Sequence, residues 1–336
     1  MRRLISILVL VAALLSAAPA WATVLKIATA LPEGSSWMKV MRAGSKEIKE
    51  RTQGRVMIKF YGGGVMGNDK SVLRKVRVGQ LHGGAFTAGG LSTVYPELKL
   101  YSLPFLFRNR EEVVKVREKL DPLIKKGLYD KGFVSFGFAG GGFANLMSST
   151  LVRGVSDVQG RKVWVPEGDA VSYAVMEAMA LSPVTLNMID VMTGLQTGLL
   201  DIVAATPTAA LAFQWHTRIK YVADTPLVYV VGTMAIDRRA YKKISSEDQA
   251  VIEEVMGRIY EGFDRQGVTD DQAAIDALKK QGIEFIHVDP ADVEQWRKTA
   301  LSVERELARE GVYSEKMFEL LVECLVECRP DWSGTE

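Results

Sequence analysis

Val76-Arg77-Val78-Gly79-Gln80-Leu81-His82-Gly83-Gly84-Ala85-Phe86-Thr87 has the same cadence as Leu195-Gln196-Thr197-Gly198-Leu199-Leu200-Asp201-Ile202-Val203-Ala204-Ala205-Thr206. Each reads as a helix stopped by glycine, a tight turn, and a short buried strand ending in threonine. Such a cadence is weak evidence alone, but the surrounding chain keeps the same alternation. Short β-branched or aromatic runs at 24–30, 56–61, 84–87, 133–138, 162–165, 183–186, 202–205, 227–236 and 283–288 read as strands. Helical spacing separates them, as at 36–52, 69–78, 110–128, 169–180 and 188–197. This is the pattern of an α/β protein. Two lobes on one plan would place the strand ends across a shared cleft, where open α/β sheets bind ligands.

A helical pattern runs from Ser246 to Gln281. At 1.5 Å per residue it would reach roughly 50 Å, more than one small domain needs. It either bridges both lobes or breaks near Gly267. Two further helices are expected between Asp289 and Cys328, the second after Gly311. Cys324 and Cys328 lie four apart on the last one, a poor geometry for a disulfide unless the helix end unwinds. They read as small buried hydrophobes rather than a bridge.

Arg2 and Arg3 precede an apolar run from Leu4 to Leu15, and Ala20-Trp21-Ala22 supplies small residues for cleavage. Residues 1–22 therefore read as a signal peptide cut after Ala22, which implies a periplasmic mature protein. Its removal takes two of 42 basic residues and none of 40 acidic ones, leaving 40 of each. A balanced charge does not suit a nucleic-acid partner. The remaining length, roughly 310 residues at about 100–200 per domain, fits two lobes.

No enzyme signature appears: no G-x-S-x-G elbow, Walker loop or dinucleotide fingerprint. His82, His216 and His287 are scattered, so no metal or other cofactor is expected; His287 beside Asp289 reads as a strand end. Gly137-Phe138-Ala139-Gly140-Gly141-Gly142-Phe143 lacks the Lys-Ser/Thr of a phosphate loop and reads as a lobe crossover or a close approach to ligand. Gly62-Gly63-Gly64 leads to a turn, with Asn68 or Asp69 capping the next helix. Met176, Met179, Met188 and Met192 share their segments with Ala174, Val175, Ala178 and Val191, which favours core packing over a copper site.

Four ordered motifs carry a family resemblance. They are Met66-Gly67 with the helix to Val78-Gly79-Gln80-Leu81; Leu103-Pro104-Phe105-Leu106-Phe107-Arg108; Asp157-Val158-Gln159-Gly160-Arg161-Lys162-Val163; and Leu195-Gln196-Thr197-Gly198 with Asp201. With them the chain resembles the substrate-binding subunit of tripartite ATP-independent periplasmic (TRAP) transporters, of the dicarboxylate-binding-protein type, over nearly all its mature length. The resemblance implies a two-lobed periplasmic binding protein fold with crossing strands and a long domain-spanning helix. Lobe I would hold 23–140 plus 232–267, and lobe II 141–231 plus 268–336. It also implies a monomer that serves a small and a large integral membrane subunit, with transport driven by an ion gradient.

The same resemblance puts a carboxylate-clamping arginine where this chain has Trp164, and a second arginine near Phe143. An indole offers one N–H donor and no charge. The expected ligand is therefore neutral or hydrophobic. Expected contacts are Trp37, Asn68, Asp69, Thr87, Phe143, Trp164, Met188, Thr206 and Trp215. Trp37 also reads as a helix anchor, and Trp215 and Trp164 as residues packed inside a lobe. Three alternatives remain open: an organic acid held by another arginine such as Arg161 or Arg153, a periplasmic sensor, and a lipid chaperone without a permease.

Overall fold

The run Thr23–Thr29 (β1) pairs in parallel with Val56–Tyr61 (β2) and Gly83–Thr87 (β3). These strands open a computed structural model that describes residues 22–332 and 334. The signal-peptide reading concerns residues 1–22, of which only Ala22 is described. Further strands are Phe133–Ser135 (β4), Ala139–Ser148 (β5), Lys162–Pro166 (β6), Ser182–Leu186 (β7), Ile202–Ala205 (β8), Tyr221–Ala223 (β9), Val228–Asp237 (β10) and Glu284–Ile286 (β11). They join in the order β2-β1-β3-β10-β5-β8-β6-β7, with β4 on β10 and β9 between β5 and β11.

Two strands belong to both lobes. β10 pairs with β3 through Gly232–Ile236 and with β5 through Val228–Gly232. β5 in turn pairs with β10 near its start and with β8 through Asn145–Ser148. The glycine run read as a lobe crossover or a close approach to ligand enters this crossing strand at Ala139, and the pairing register shifts between Tyr229 and Val231 of β10.

The helices used below are Ser36–Arg51 (α1), Asp69–Arg77 (α2), Arg110–Asp130 (α3), Ala170–Ala178 (α4), Val191–Thr197 (α5), Pro207–Ala212 (α6), Ser246–Lys280 (α7), Pro290–Arg309 (α8) and Glu315–Cys328 (α9). Side-chain caps from Ser35, Asn68, Asn109, Asp169, Thr206, Ser245, Asp289 and Ser314 start eight of them by satisfying backbone N–H groups that no helical carbonyl reaches.

Alternation within each strand separates the cores. Leu25, Ile27 and Ile58 pack with Met38 and Met41 of α1 and with Val255 and Met256 of α7. On the other side of this lobe lie Val72, Leu98, Leu120 and Ile124. In β6, Val163 and Val165 meet Val175 and Trp296, whereas Trp164 points into a separate cluster with Val203, Trp215 and Leu278.

α7 is one unbroken helix of 35 residues, about 52 Å long. It packs on α1, β5 and α6, and so touches both lobes. Gly267 does not break it. A Cβ there would lie 3.1 Å from the carbonyl oxygen of Gly140, so this glycine lets the helix approach the crossing strand. α9 departs from the expected division: Phe318, Leu321 and Leu325 join the core of Leu120 and Ile124, returning the chain to the first lobe. Cys324 is buried on this helix, and both cysteines are free thiols.

Candidate functional site

The carboxyl ends of β2 and β3 face those of β6, β7 and β8 across the lobe boundary. Asn68 makes the meeting explicit. Its Oδ1 accepts from the N–H of Ser71 at 3.0 Å and caps α2, while its Nδ2 donates to Glu167 Oε2 and Asn187 Oδ1, both at 2.7 Å. Gly64 comes so close to Ile189 that a Cβ would lie 2.8 Å from its Cγ2. The lobes are therefore in contact at the mouth.

Asn68→Ser should keep the cap, since serine caps as well as asparagine, and lose the bridge because the shorter side chain cannot span the gap. The expected outcome is a stability change within about 1 kcal/mol and a longer inter-lobe distance between spin labels at exposed Val78 and Leu199. An unchanged distance distribution would remove the latch role from Asn68.

The paired cadences at 76–87 and 195–206 fold alike. Gly79 and Gly198 take φ of 76° and 70° just after their helices, a region where a Cβ is strained. Thr87 then accepts from the N–H of Gly90, and Thr206 from that of Ala209, both at 3.1 Å. Each hydroxyl oxygen is thus a helix cap at its strand end, Thr206 being buried and Thr87 half-buried.

The expected aromatic contacts divide into three groups. Trp164 is 5% exposed and packs edge-on against the 2% exposed Trp215 at 5.2 Å, and Phe213 stacks on Trp215 at 5.3 Å. Its Nε1 donates to the carbonyl of Leu186 at 3.0 Å, and half-buried Met188 borders the cluster. Trp164 and Trp215 thus sit within the second lobe's core. Phe143, half-buried on the crossing strand, meets Tyr229 edge-on at 5.0 Å. Trp37 lies flat on Phe263 of α7 at 5.6 Å, inside the first lobe.

The loops at 30–35, 62–69, 88–92, 167–169, 187–190 and 206–208 contain no lysine or arginine of their own and carry Glu33, Asp69, Glu167, Asp169 and Asp190. Cations from neighbouring helices reach two of them: Arg42 pairs with Glu33 at 2.5 Å, and Lys75 Nζ donates to the carbonyl of Met66 at 2.8 Å. Asp69, half-buried against Gly90, has its carboxyl pushed up to about 6 by burial. Asp169 is also raised, by burial against its hydrogen bonds to Ser172. The arginine kept as an alternative, Arg161, donates Nε to the carbonyl of Asp157 at 3.3 Å.

Glu167, Asn187 and Ile189 were not foreseen from sequence. They follow β6 and β7, so the strand-end rule that singled out Asn68 and Met188 would have found them.

Two lobes sharing crossing strands, with strand-end loops meeting over a cleft, define a periplasmic-binding-protein class. The chain belongs to the bacterial extracellular solute-binding proteins, family 7, whose model matches residues 27–310. It is 23% identical over 243 residues to the 2,3-diketo-L-gulonate-binding periplasmic protein YiaO of Escherichia coli, covering 71% of this chain and 73% of that one. A TRAP periplasmic solute binding protein from Desulfovibrio salexigens, solved with orotic acid, superposes with a TM-score of 0.84 at 18% identity, covering 91% of this chain and 99% of that one. Another, from Chromohalobacter salexigens with bound D-glucuronate, gives 0.83 at 19% identity, covering 89% and 99%. Among the described residues, no helix is long and apolar enough to cross a membrane.

Proposed function

We propose that this TRAP-type solute-binding protein works in the periplasm, captures an uncharged small organic molecule with an apolar body, and delivers it to a small and a large integral membrane subunit. One observation carries the ligand class: the strand-end loops hold five carboxylates and no cation of their own, and the cations that reach them, Arg42 and Lys75, are engaged by Glu33 and by the carbonyl of Met66. A ligand carboxylate enclosed there without a cation loses hydration at a cost of several kcal/mol. Phe143 and Met188, both half-buried, offer apolar surface instead. Burying roughly 200 Å² of ligand would contribute about 5 kcal/mol before ordering costs.

The ligands of similar proteins favour a second reading. Orotic acid, D-glucuronate and 2,3-diketo-L-gulonate are organic acids. This chain would then hold an acid through backbone N–H groups or a cation brought in from outside the loops. Calorimetric titration separates the two. Orotate, D-glucuronate and D-galacturonate should give no binding heat, while members of a panel of uncharged aromatic and aliphatic compounds should bind. An acid bound with a Kd below about 10 µM, roughly −7 kcal/mol, would overturn the uncharged reading.

A further inference from the structure

The motif Leu103-Pro104-Phe105-Leu106-Phe107-Arg108 lies outside the strand-end loops and joins the two cores instead. Leu103, Leu106 and Phe107 pack in the first lobe with Leu98, Leu120 and Ile124. Phe105, between them, points the other way. It packs in the second lobe with Val163, Val175 and Trp296, its ring 5.6 Å from that of Trp296 and tilted by 34°.

The backbone makes this crossing possible. Pro104 and Phe105 lie in a turn, and Phe105 takes φ of 60°, the left-handed region that a proline-first turn of this kind normally gives to glycine or asparagine. Gln53, Ala180 and Gln214 also have positive φ, but all three are exposed, whereas Phe105 is 2% exposed. A bulky residue held in this region is strained and persists only where its surroundings fix it. Here they fix it from both lobes. The Phe105 N–H donates to the carbonyl of Leu227, just before β10, at 2.5 Å. On the first lobe's side, the carbonyl of Leu106 accepts from Arg329 at 2.6 Å, and the N–H of Arg108 donates to Glu112 at 2.7 Å.

α8 runs along the same border. Val293, Trp296 and Ala300 belong to the second lobe's core, and Leu301 and Ala308 to the first's. The ring of Phe105 is therefore seated where a helix shared by both lobes meets the start of a crossing strand.

We propose that Phe105 is the fulcrum of lobe closure: its ring stays seated against Trp296 in the second lobe while the rest of the Leu103–Arg108 turn moves with the first, so that the lobes swing along one path. Closure around ligands in this class of protein uses hinges of a few residues that absorb the motion. Glycine at this position would relieve the strain and leave no ring to seat; phenylalanine combines the left-handed turn with an anchor. The fulcrum concerns motion and holds whatever solute the cleft takes.

Spin labels at exposed Val78 and Leu199, with Cys324 and Cys328 replaced by alanine, read that path as a distribution of inter-lobe distances. The wild type should give narrow peaks for its closed and open forms. Phe105→Ala should smear them into one broad distribution while circular dichroism still reports a folded chain. Val163→Ala truncates a 1% exposed side chain on β6 in the same core and serves as the control; it should lower the unfolding temperature and leave the peaks narrow. Should Phe105→Ala fail to fold, Phe105→Leu, which half-fills the seat, carries the test with a smaller broadening. A folded Phe105 variant whose peaks are no broader than the wild type's, or equal broadening by Val163→Ala, overturns the fulcrum.

Discussion

Glu112→Gln is expected to lower the unfolding free energy by roughly 3–5 kcal/mol. Glu112 and Arg329 are a bidentate pair with side chains 4% and 8% exposed, and Glu112 also accepts from the backbone N–H of Arg108 at 2.7 Å. Glutamine keeps the shape and loses the charge, so Arg329 is left buried as a cation with the carbonyl of Leu106, the face of Trp332 and a neutral amide, but no carboxylate. Desolvation is then no longer offset by attraction, and that loss exceeds the worth of the hydrogen bonds themselves. The urea midpoint should fall with little change in slope, because the folded structure stays equally compact. A midpoint within experimental error of the wild type would show that Arg329 reaches water or another carboxylate.

Trp164→Ala should cost a similar amount, about 3–5 kcal/mol, for a different reason. Its indole fills space between Trp215, Val203 and Leu200 and satisfies the carbonyl of Leu186. Truncation leaves a cavity against rigid β8 and removes an edge-on aromatic contact, while Leu186 loses its donor. Trp164→Phe should recover much of the loss because it refills most of the volume, leaving chiefly the missing hydrogen bond at about 1 kcal/mol. Urea unfolding of both variants checks this order. Equal stability of the alanine and wild-type proteins would mean that the indole swings out into the cleft.

Much of this fold is legible because burial imposes periodicity. The strands β1, β2, β3, β6, β7, β8 and β10 are apolar runs between turn residues, and the twin glycine stops at 79 and 198 mark where helices end on both sides of the cleft. β5 escapes such reading because Gly140, Gly141 and Gly142 lower strand propensity. Its pairing is imposed by β10 and β8 on either side. Gly267 looks like a helix break and is not one, since a single helical glycine costs only about 1 kcal/mol and here permits contact with Gly140.

The site was legible in part. Asn68 was singled out as a cap, but its partners lie 99 and 119 residues away, where no local rule reaches. Alternation along β6 sets Trp164 opposite Val163 and Val165. Which of its faces holds a core and which a cleft depends on Trp215, brought close by the turn after α6. The return of α9 to α3 is likewise a long-range packing event that helical spacing alone does not announce.

The most direct test of an uncharged solute in an acid-rimmed cleft is chemical identification of what the protein carries. The mature protein should be purified without denaturation, extracted with organic solvent, and the extract analysed by mass spectrometry against protein concentration. A neutral organic compound recovered at near one per chain is the predicted result, whereas a stoichiometric organic acid would contradict it and place a carboxylate among Asp69, Glu167 and Asp190.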